Sequence, residues 1–314
     1  MLDKHSRCIN YMRVSLTNNC NLRCIYCMPK DIKNSCEQLL SKEDYFKIIR
    51  ESSKLGINKI RFTGGEPLLY KDLVPLISDV SNLSNINDLS ITTNGILLEN
   101  MIGDLKKAGL TRANISLDSM KPDRFNTITR GGNLNTVLNS IDKYLEMNFK
   151  KLKINTLIIK GINDDEIADF VNLTKELPIS LRFIELMPLG EGEKFYKNGF
   201  ISTREIKNII KEKTNLIKID NNVYKGENHK GDFSFISPLS NRFCSSCNKI
   251  RLTARGTLKP CLHSDIEYLI TPFLNEEAKL NEEVRRIIFN KPSTHYLNEE
   301  EKSRCSRSMF QIGG

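Results

Sequence analysis

Between residues 12 and 186 the chain alternates between stretches that read as strands and stretches that read as helices, with a period of about 30 residues. No other feature restricts the fold as much. The strands fall at 12–17, 58–63, 88–92, 112–118, 151–159 and 180–186, and helices separate them at 41–55, 72–83, 96–108, 134–147 and 164–177. Ser41 reads as an N-cap, Glu43 and Asp44 bring negative charge to the first turn, and Gly56 ends that helix. Strands joined by helices return in the same direction through right-handed crossovers, so the six belong to one parallel sheet. Six units are too few for a closed eight-stranded barrel and suit an α/β fold, a curved, open (β/α)6 barrel of the TIM type. In such barrels the active site lies at the C-terminal ends of the strands. Beyond Met187-Pro188 the pattern changes. Residues 189–200 are glycine-rich, Ser202-x-x-Glu205 opens a helix with a capping box, and short strands follow. The expected division is 1–190 for the partial barrel and 191–314 for a C-terminal domain.

Straight after the first strand comes Cys20-Asn21-Leu22-Arg23-Cys24-Ile25-Tyr26-Cys27, three cysteines spaced C-x3-C-x2-C. In so short a loop three sulfurs can face one object. Iron–sulfur clusters are held by cysteine thiolates, usually four for [4Fe–4S], so a local set of three leaves one iron open to a small molecule. Structural zinc sites normally close with four Cys or His ligands, and no fourth lies nearby. A second group, Cys244, Cys247 and Cys261, is spaced C-x2-C-x13-C. Alone it also reads as a zinc site, with His263 as fourth ligand. Cys8, Cys36 and Cys305 stand apart from both groups.

Composition narrows the classes. With 39% hydrophobic and 27% charged residues in 314, the chain can bury a core. It has no apolar run of membrane-spanning length and no signal-peptide pattern at its start, which makes the cytoplasm the expected location. Clustered cysteines in a long chain without an export signal point to metal rather than to disulfides. The net charge of +9 suits an anionic ligand; the lysines are scattered rather than striped, which argues against DNA or RNA.

The loop C-x3-C-x-aromatic-C, with Tyr26 as the aromatic, resembles the signature of the radical S-adenosylmethionine (SAM) family. That resemblance implies that Cys20, Cys24 and Cys27 hold a [4Fe–4S] cluster whose open iron binds SAM, and that Tyr26 contacts SAM through its backbone. Gly64-Gly65-Glu66-Pro67 is similar to the segment that binds the methionine amino group of SAM, and Ser116 and Met187 align with further SAM contacts. The run Cys247-Asn248-Lys249-Ile250-Arg251, then Gly256, Leu258 and Cys261, resembles the branch of the family that cyclises GTP in molybdenum cofactor biosynthesis. So does the terminal Gln311-Ile312-Gly313-Gly314. In that branch Cys244, Cys247 and Cys261 hold a second [4Fe–4S] cluster that binds guanine, and the Gly-Gly tail reaches the active site. The likeness runs from about Arg13 to the C-terminus.

By the same resemblance the GTP contacts are Arg13, Lys59, Arg61, Thr92, Lys153, Arg182, Lys249, Ile250 and Arg251, and Arg13, Gly313 and Gly314 serve catalysis. Lys59 and Arg61, two apart on a strand, face the same side. Lys249 stands where arginine is common in that branch, so it keeps the charge and loses the bidentate fork. The reaction implied is removal of hydrogen from C3′ of GTP by a 5′-deoxyadenosyl radical, attack of C3′ on guanine C8, and reduction to (8S)-3′,8-cyclo-7,8-dihydroguanosine 5′-triphosphate. The implied partners are an electron donor such as flavodoxin or ferredoxin and, downstream, cyclic pyranopterin monophosphate synthase; a homodimer is left open. Two rival readings stay in view: a peptide-modifying radical SAM maturase, and a zinc-dependent nucleic-acid-binding protein.

Overall fold

The computed structural model describes residues 1–32, 40–295, 303, 305 and 307–313. Its first half follows the expected alternation: β1 (Tyr11–Ser15), α1 (Lys42–Lys54), β2 (Lys59–Thr63), α2 (Leu73–Ser81), β3 (Asp88–Thr93), α3 (Leu98–Lys107) and β4 (Arg112–Ser116). After α4 (Pro122–Thr129) and α5 (Leu134–Glu146) come β5 (Lys153–Ile158), α6 (Ile167–Glu176) and β6 (Ser180–Glu185). The Ser41 cap is present: its hydroxyl accepts from Asp44 N–H at 3.1 Å and the Asp44 carboxylate accepts from Ser41 N–H at 3.1 Å. The short α4, with β-branched Thr127, Ile128 and Thr129 in eight residues, lies in a stretch where no helix was expected.

The remaining elements are α7 (Gly192–Gly199), α8 (Thr203–Lys211), β7 (Leu216–Asp220), β8 (Val223–Gly226), β9 (Asp232–Ile236), β10 (Lys249–Leu252), β11 (Thr257–Lys259), β12 (Tyr268–Leu269) and α9 (Glu277–Phe289). Among the described residues all the strands share one 12-stranded sheet, in the order β12-β11-β10-β1-β2-β3-β4-β5-β6-β9-β8-β7. β10 joins β1 and β9 joins β6, both parallel, so strands from beyond residue 190 lengthen the six-stranded core at each edge. An antiparallel hairpin finishes each side, and β7 and β12 end the sheet unpaired with each other. The barrel is therefore open. Among the described residues no helix is long and apolar enough to cross a membrane.

Strand alternation decides which face holds the core. Met12, Val14, Ile60, Phe62, Leu89, Ile91, Ala113, Ile115, Ile154, Leu181, Phe183, Ile250 and Leu252 are buried together with apolar residues of the helices. Their neighbours in sequence point the other way: Tyr11, Arg13, Lys59, Arg61, Ser90, Thr92, Arg112, Asn114, Lys153, Asn155, Arg182, Lys249 and Arg251. Parallel strands are usually apolar on both faces. Here one face is polar and cationic, and a barrel lined that way is built to meet an anion.

Candidate active site

The first cysteine loop leaves the C-terminal end of β1. Its turn closes on the carbonyl of Cys24, which accepts from the N–H groups of Cys27 at 2.9 Å and Met28 at 3.1 Å. Two further bonds, Arg23 N–H to Thr129 O at 3.0 Å and Ile25 N–H to Ile128 O at 2.9 Å, tie the loop to the end of α4. The helix that sequence patterning overlooked thus positions the cysteines. Burial pushes the Cys24 thiol well up and the Cys27 thiol up to about 12, and the negative charge of neighbouring thiolates and Asp118 adds to both. Burial likewise raises Cys20. Three half-buried cysteines whose thiolates would repel one another are a poor arrangement on their own and a good one around a cationic iron centre, so the donor set fits a cluster.

Gly64 and Gly65 bring the end of β2 against that loop. Gly65 N–H donates to Thr17 O at 2.7 Å, Glu66 N–H donates to Asn19 O at 2.8 Å, and a Cβ on Gly65 would stand 2.2 Å from Asn19 O. Only glycine permits this approach. The buried Glu66 carboxylate accepts from Thr93 Oγ1 at 2.7 Å, Asn94 N–H at 2.8 Å and Leu68 N–H at 3.2 Å, and burial lifts its pKa to about 7. It thereby sets Asn94, whose Nδ2 reaches Cys20 Sγ at 3.7 Å. Tyr26 donates its hydroxyl to Asp118 at 2.5 Å; Asp118 also accepts from Leu157 N–H at 2.8 Å, and burial raises its carboxyl to about 6. Ser116 ends β4 two residues earlier, and Met187 follows β6, where its carbonyl closes on Gly192.

The second cysteine group sits at the opposite end of the strands. Cys244 and Cys247 form a tight turn immediately before β10, and Cys261 follows β11. Arg7, paired with Asp3 at 2.6 Å, clamps this region by donating to the carbonyls of Cys244 at 2.9 Å, Ser293 at 3.0 Å and Pro292 at 2.6 Å. Buried Lys291 donates to Pro260 O beside Cys261. Burial works against the Cys247 thiolate, but Lys291, Lys249 and Arg251 draw its pKa below the ordinary range. This donor set, too, suits an iron–sulfur cluster. The zinc alternative relied on His263, whose Nδ1 pairs with Ser303 Oγ at 3.1 Å. Among the described residues no three His, Cys, Asp or Glu side chains close on a single ion.

Between the two cysteine groups the inner face carries the cations. Arg13 lies in register between Arg251 and Arg61, Tyr11 between Lys249 and Lys59, and Asn114 between Thr92 and Lys153. Burial lowers Arg13, Arg61 and Arg182 to about 10, with repulsion among the arginines contributing. Lys249 falls to about 8 through burial and Lys153 to about 7, the latter also opposed by Arg182, Arg112 and Arg61. Arg61 and Lys249 flank the Tyr11 ring at 5.3 and 5.9 Å. Ile250, grouped with the GTP contacts, differs: its side chain is 1% exposed on the helix side of the sheet and is not part of this face. Tyr11 and the Asp88–Arg112 pair at 2.7 Å were not anticipated. They carried a legible signal, since 11, 88 and 112 keep the strand parity of Arg13, Thr92 and Asn114.

The C-terminal tail enters the same space. Gly313 O accepts from Arg13 Nε at 3.1 Å and from Arg251 Nη1 at 2.6 Å, and Ile312 O accepts from Arg251 Nη1 at 3.1 Å. Phe310 N–H donates to the Cys27 sulfur. Gly313 has φ +69°, and a Cβ there would lie 2.2 Å from Thr63 Oγ1. Leu189, Cys305 and Ile312 pack together beneath the tail, so Cys305 acts as a buried apolar filler; Cys8 is exposed. Gly314 and Cys36 lie outside the described residues.

Residues 14–174 match the family model described as Radical SAM superfamily, and residues 179–297 match the one described as Molybdenum Cofactor Synthesis C. The chain belongs to the radical SAM superfamily: it is an enzyme of the class that uses SAM and iron–sulfur clusters held by cysteines. Within that class its relatives are GTP 3′,8-cyclases. It is 52% identical to the GTP 3′,8-cyclase of Clostridium botulinum (strain Langeland), with 100% of each chain covered. Those of Clostridium acetobutylicum and Desulforamulus reducens are 51% and 44% identical, again with 100% of each chain covered. Among solved structures, Streptococcus suis SuiB bound to S-adenosylmethionine superposes with a TM-score of 0.64 at 15% identity, over 86% of this chain and 65% of that one. HydG, a maturase of the [FeFe]-hydrogenase, gives 0.52 at 14% identity over 65% and 48%. At such identities the likeness concerns the fold, and it agrees with an open α/β barrel.

Proposed function

We propose that this chain is itself a GTP 3′,8-cyclase and catalyses the first step of molybdenum cofactor biosynthesis, converting GTP to (8S)-3′,8-cyclo-7,8-dihydroguanosine 5′-triphosphate. One observation carries the reading furthest. Two cysteine triads stand at opposite ends of a single cationic sheet face, and the tail carbonyls of Ile312 and Gly313 lie between them on Arg251 and Arg13. A maturase acting on peptides has no need of so many buried cations along its barrel.

In this reading Cys20, Cys24 and Cys27 hold the cluster that serves SAM, and Cys244, Cys247 and Cys261 hold the one that serves guanine. When bound, the first cluster would supply one-electron reduction of SAM. The chain's own residues do the positioning. Tyr26, Gly65, Glu66, Ser116 and Met187 form the SAM end, with Glu66 acting by fixing the loop after β3. Arg13, Lys59, Arg61, Thr92, Lys153, Arg182, Lys249 and Arg251 receive the nucleotide. Anchoring both ends of GTP holds C3′ against C8, and such orientation can contribute several kcal/mol to ring closure. Arg13 and the tail at Gly313 border the reacting sugar, and Gly314 is assigned to catalysis with them. An external one-electron donor of flavodoxin or ferredoxin type, use of the product by cyclic pyranopterin monophosphate synthase, a cytoplasmic location and a homodimer belong to the same proposal. Incubation with SAM, reductant and GTP without oxygen is expected to yield 5′-deoxyadenosine and an isomer of GTP in equal amounts, since one hydrogen leaves C3′ and one arrives on the guanine. Formation of 5′-deoxyadenosine with GTP unchanged would count against the reading.

Two predictions follow locally. Gly313→Ala meets both an unfavourable φ and Thr63 Oγ1, so the tail is displaced from Arg13 and Arg251. Turnover is expected to fall at least about tenfold, while iron content holds steady. Lys153, held near pKa 7 by burial and by Arg182, Arg112 and Arg61 against the partial relief of Asp88, regains its charge when a phosphate arrives. Below pH 7 it is already charged, and above pH 7 binding must take up a proton. Affinity for GTP should therefore drop by about tenfold per pH unit between roughly pH 7 and 9. In Lys153→Met the slope between pH 7 and 8 disappears from the titrations, and the slope that remains above pH 8 belongs to Lys249.

A further inference from the structure

Asn114 lies in the middle of β4 and is 0% exposed, and its Nδ2 has no hydrogen-bond partner among the described residues. Its amide orientation is forced. The Oδ1 atom accepts from Arg112 Nη1 at 3.1 Å, and arginine has donors only, so the other amide atom must be the NH2 group. Arg112 is in turn fixed by Asp88, which accepts from its Nε at 3.0 Å and its Nη2 at 2.7 Å. A buried donor aligned in this way and left unmatched is costly, and it points to an acceptor supplied by a ligand.

The position of Asn114 says which acceptor. In register it lies between Thr92, whose Oγ1 also lacks a partner among the described residues, and Lys153. Lys153, Arg61 and Arg182 are close enough to oppose one another's charge, so an anion belongs among them. Asp88 cancels the charge of Arg112 and leaves it a positioning group rather than a free cation.

We propose that Asn114, oriented by the Asp88–Arg112 pair, donates through Nδ2 to a phosphate oxygen of the substrate's triphosphate and helps the site select a phosphorylated guanosine. The proposal rests on the reading of GTP as substrate. Neither Asn114 nor Arg112 touches the cysteine loops, so the step involves binding and leaves the radical chemistry unaltered.

The test is equilibrium binding of GTP and of guanosine to the anaerobically reconstituted enzyme. Asn114→Ala removes the donor, and GTP is expected to bind about tenfold or more weakly while guanosine is unchanged. Asn114→Asp keeps the acceptor toward Arg112 and places a negative oxygen where the donor was, so GTP should weaken further, by about 100-fold. If Asn114→Ala folds poorly, Asp88→Asn serves: it loosens Arg112 without touching the ligand and should weaken GTP alone. Unchanged GTP affinity in these variants, or equal loss for GTP and guanosine, overturns the proposal. Failure of the unmodified enzyme to bind GTP would instead overturn the reading beneath it.

Discussion

Cys24→Ser is expected to leave a folded protein that no longer forms 5′-deoxyadenosine. The Cys24 carbonyl holds the turn through Cys27 and Met28, and that main-chain pattern survives the substitution. The sulfur does not. A serine hydroxyl ionises far less readily than a thiol and is a hard oxygen donor where iron–sulfur clusters take thiolates. Loss of even an outer-shell partner at a metal site costs about 10–100-fold, and loss of a ligand exceeds that. Liquid chromatography of anaerobic incubations with SAM and reductant should show formation of 5′-deoxyadenosine reduced by more than about 100-fold. Near-normal formation would mean that this loop does not anchor the SAM-cleaving centre.

Cys261→Ser should separate the two halves of the chemistry. Cys261 follows β11 at the far end of the strands, and the hydrogen bonds that stitch the Cys20–Cys27 loop run to Thr129, Ile128, Asn94 and Phe310 instead. Distant sites that do not touch each other behave nearly independently, and the link they have here, the tail, holds Cys27 through the Phe310 main chain rather than through Cys261. Reductive cleavage of SAM should therefore persist within about twofold, while the cyclised nucleotide falls below about 1% of its normal amount. Cyclisation at a normal rate would remove the second cysteine group from the reaction.

Local patterning made the barrel legible because its strands and helices are long and punctuated by caps and glycines. Ser41, Gly56 and the Ser202–Glu205 box mark real ends. Short strands were expected around the second cysteine group, but the place of β9 and β10 in the barrel sheet was hidden for a physical reason. Each is short, and each becomes a strand by pairing with β6 or β1, far away in sequence. α4 has weak helix formers, and its role in holding Arg23 and Ile25 arises only in three dimensions. The cysteines were visible through spacing alone, and the cations through strand parity combined with resemblance. Glycine pairs 64–65 and 313–314 had two meanings in sequence. The structure gives 64–65 a close backbone approach and Gly313 a positive φ. Asn114, Arg112 and Asp88 had no signal of their own beyond strand parity, because their significance lies in who bonds to whom across β3 and β4. Ile250 was placed among the GTP contacts by resemblance alone; alternation turns its side chain into the core, so that its main chain is the part that borders the cationic face.

The central claim is that two cysteine triads hold two iron–sulfur clusters across one cationic cavity. Iron, acid-labile sulfide and zinc, measured per chain after reconstitution without oxygen, test it most directly. Roughly eight irons and eight sulfides, in a brown protein nearly free of zinc, are the expected result. A colourless protein with stoichiometric zinc would contradict it.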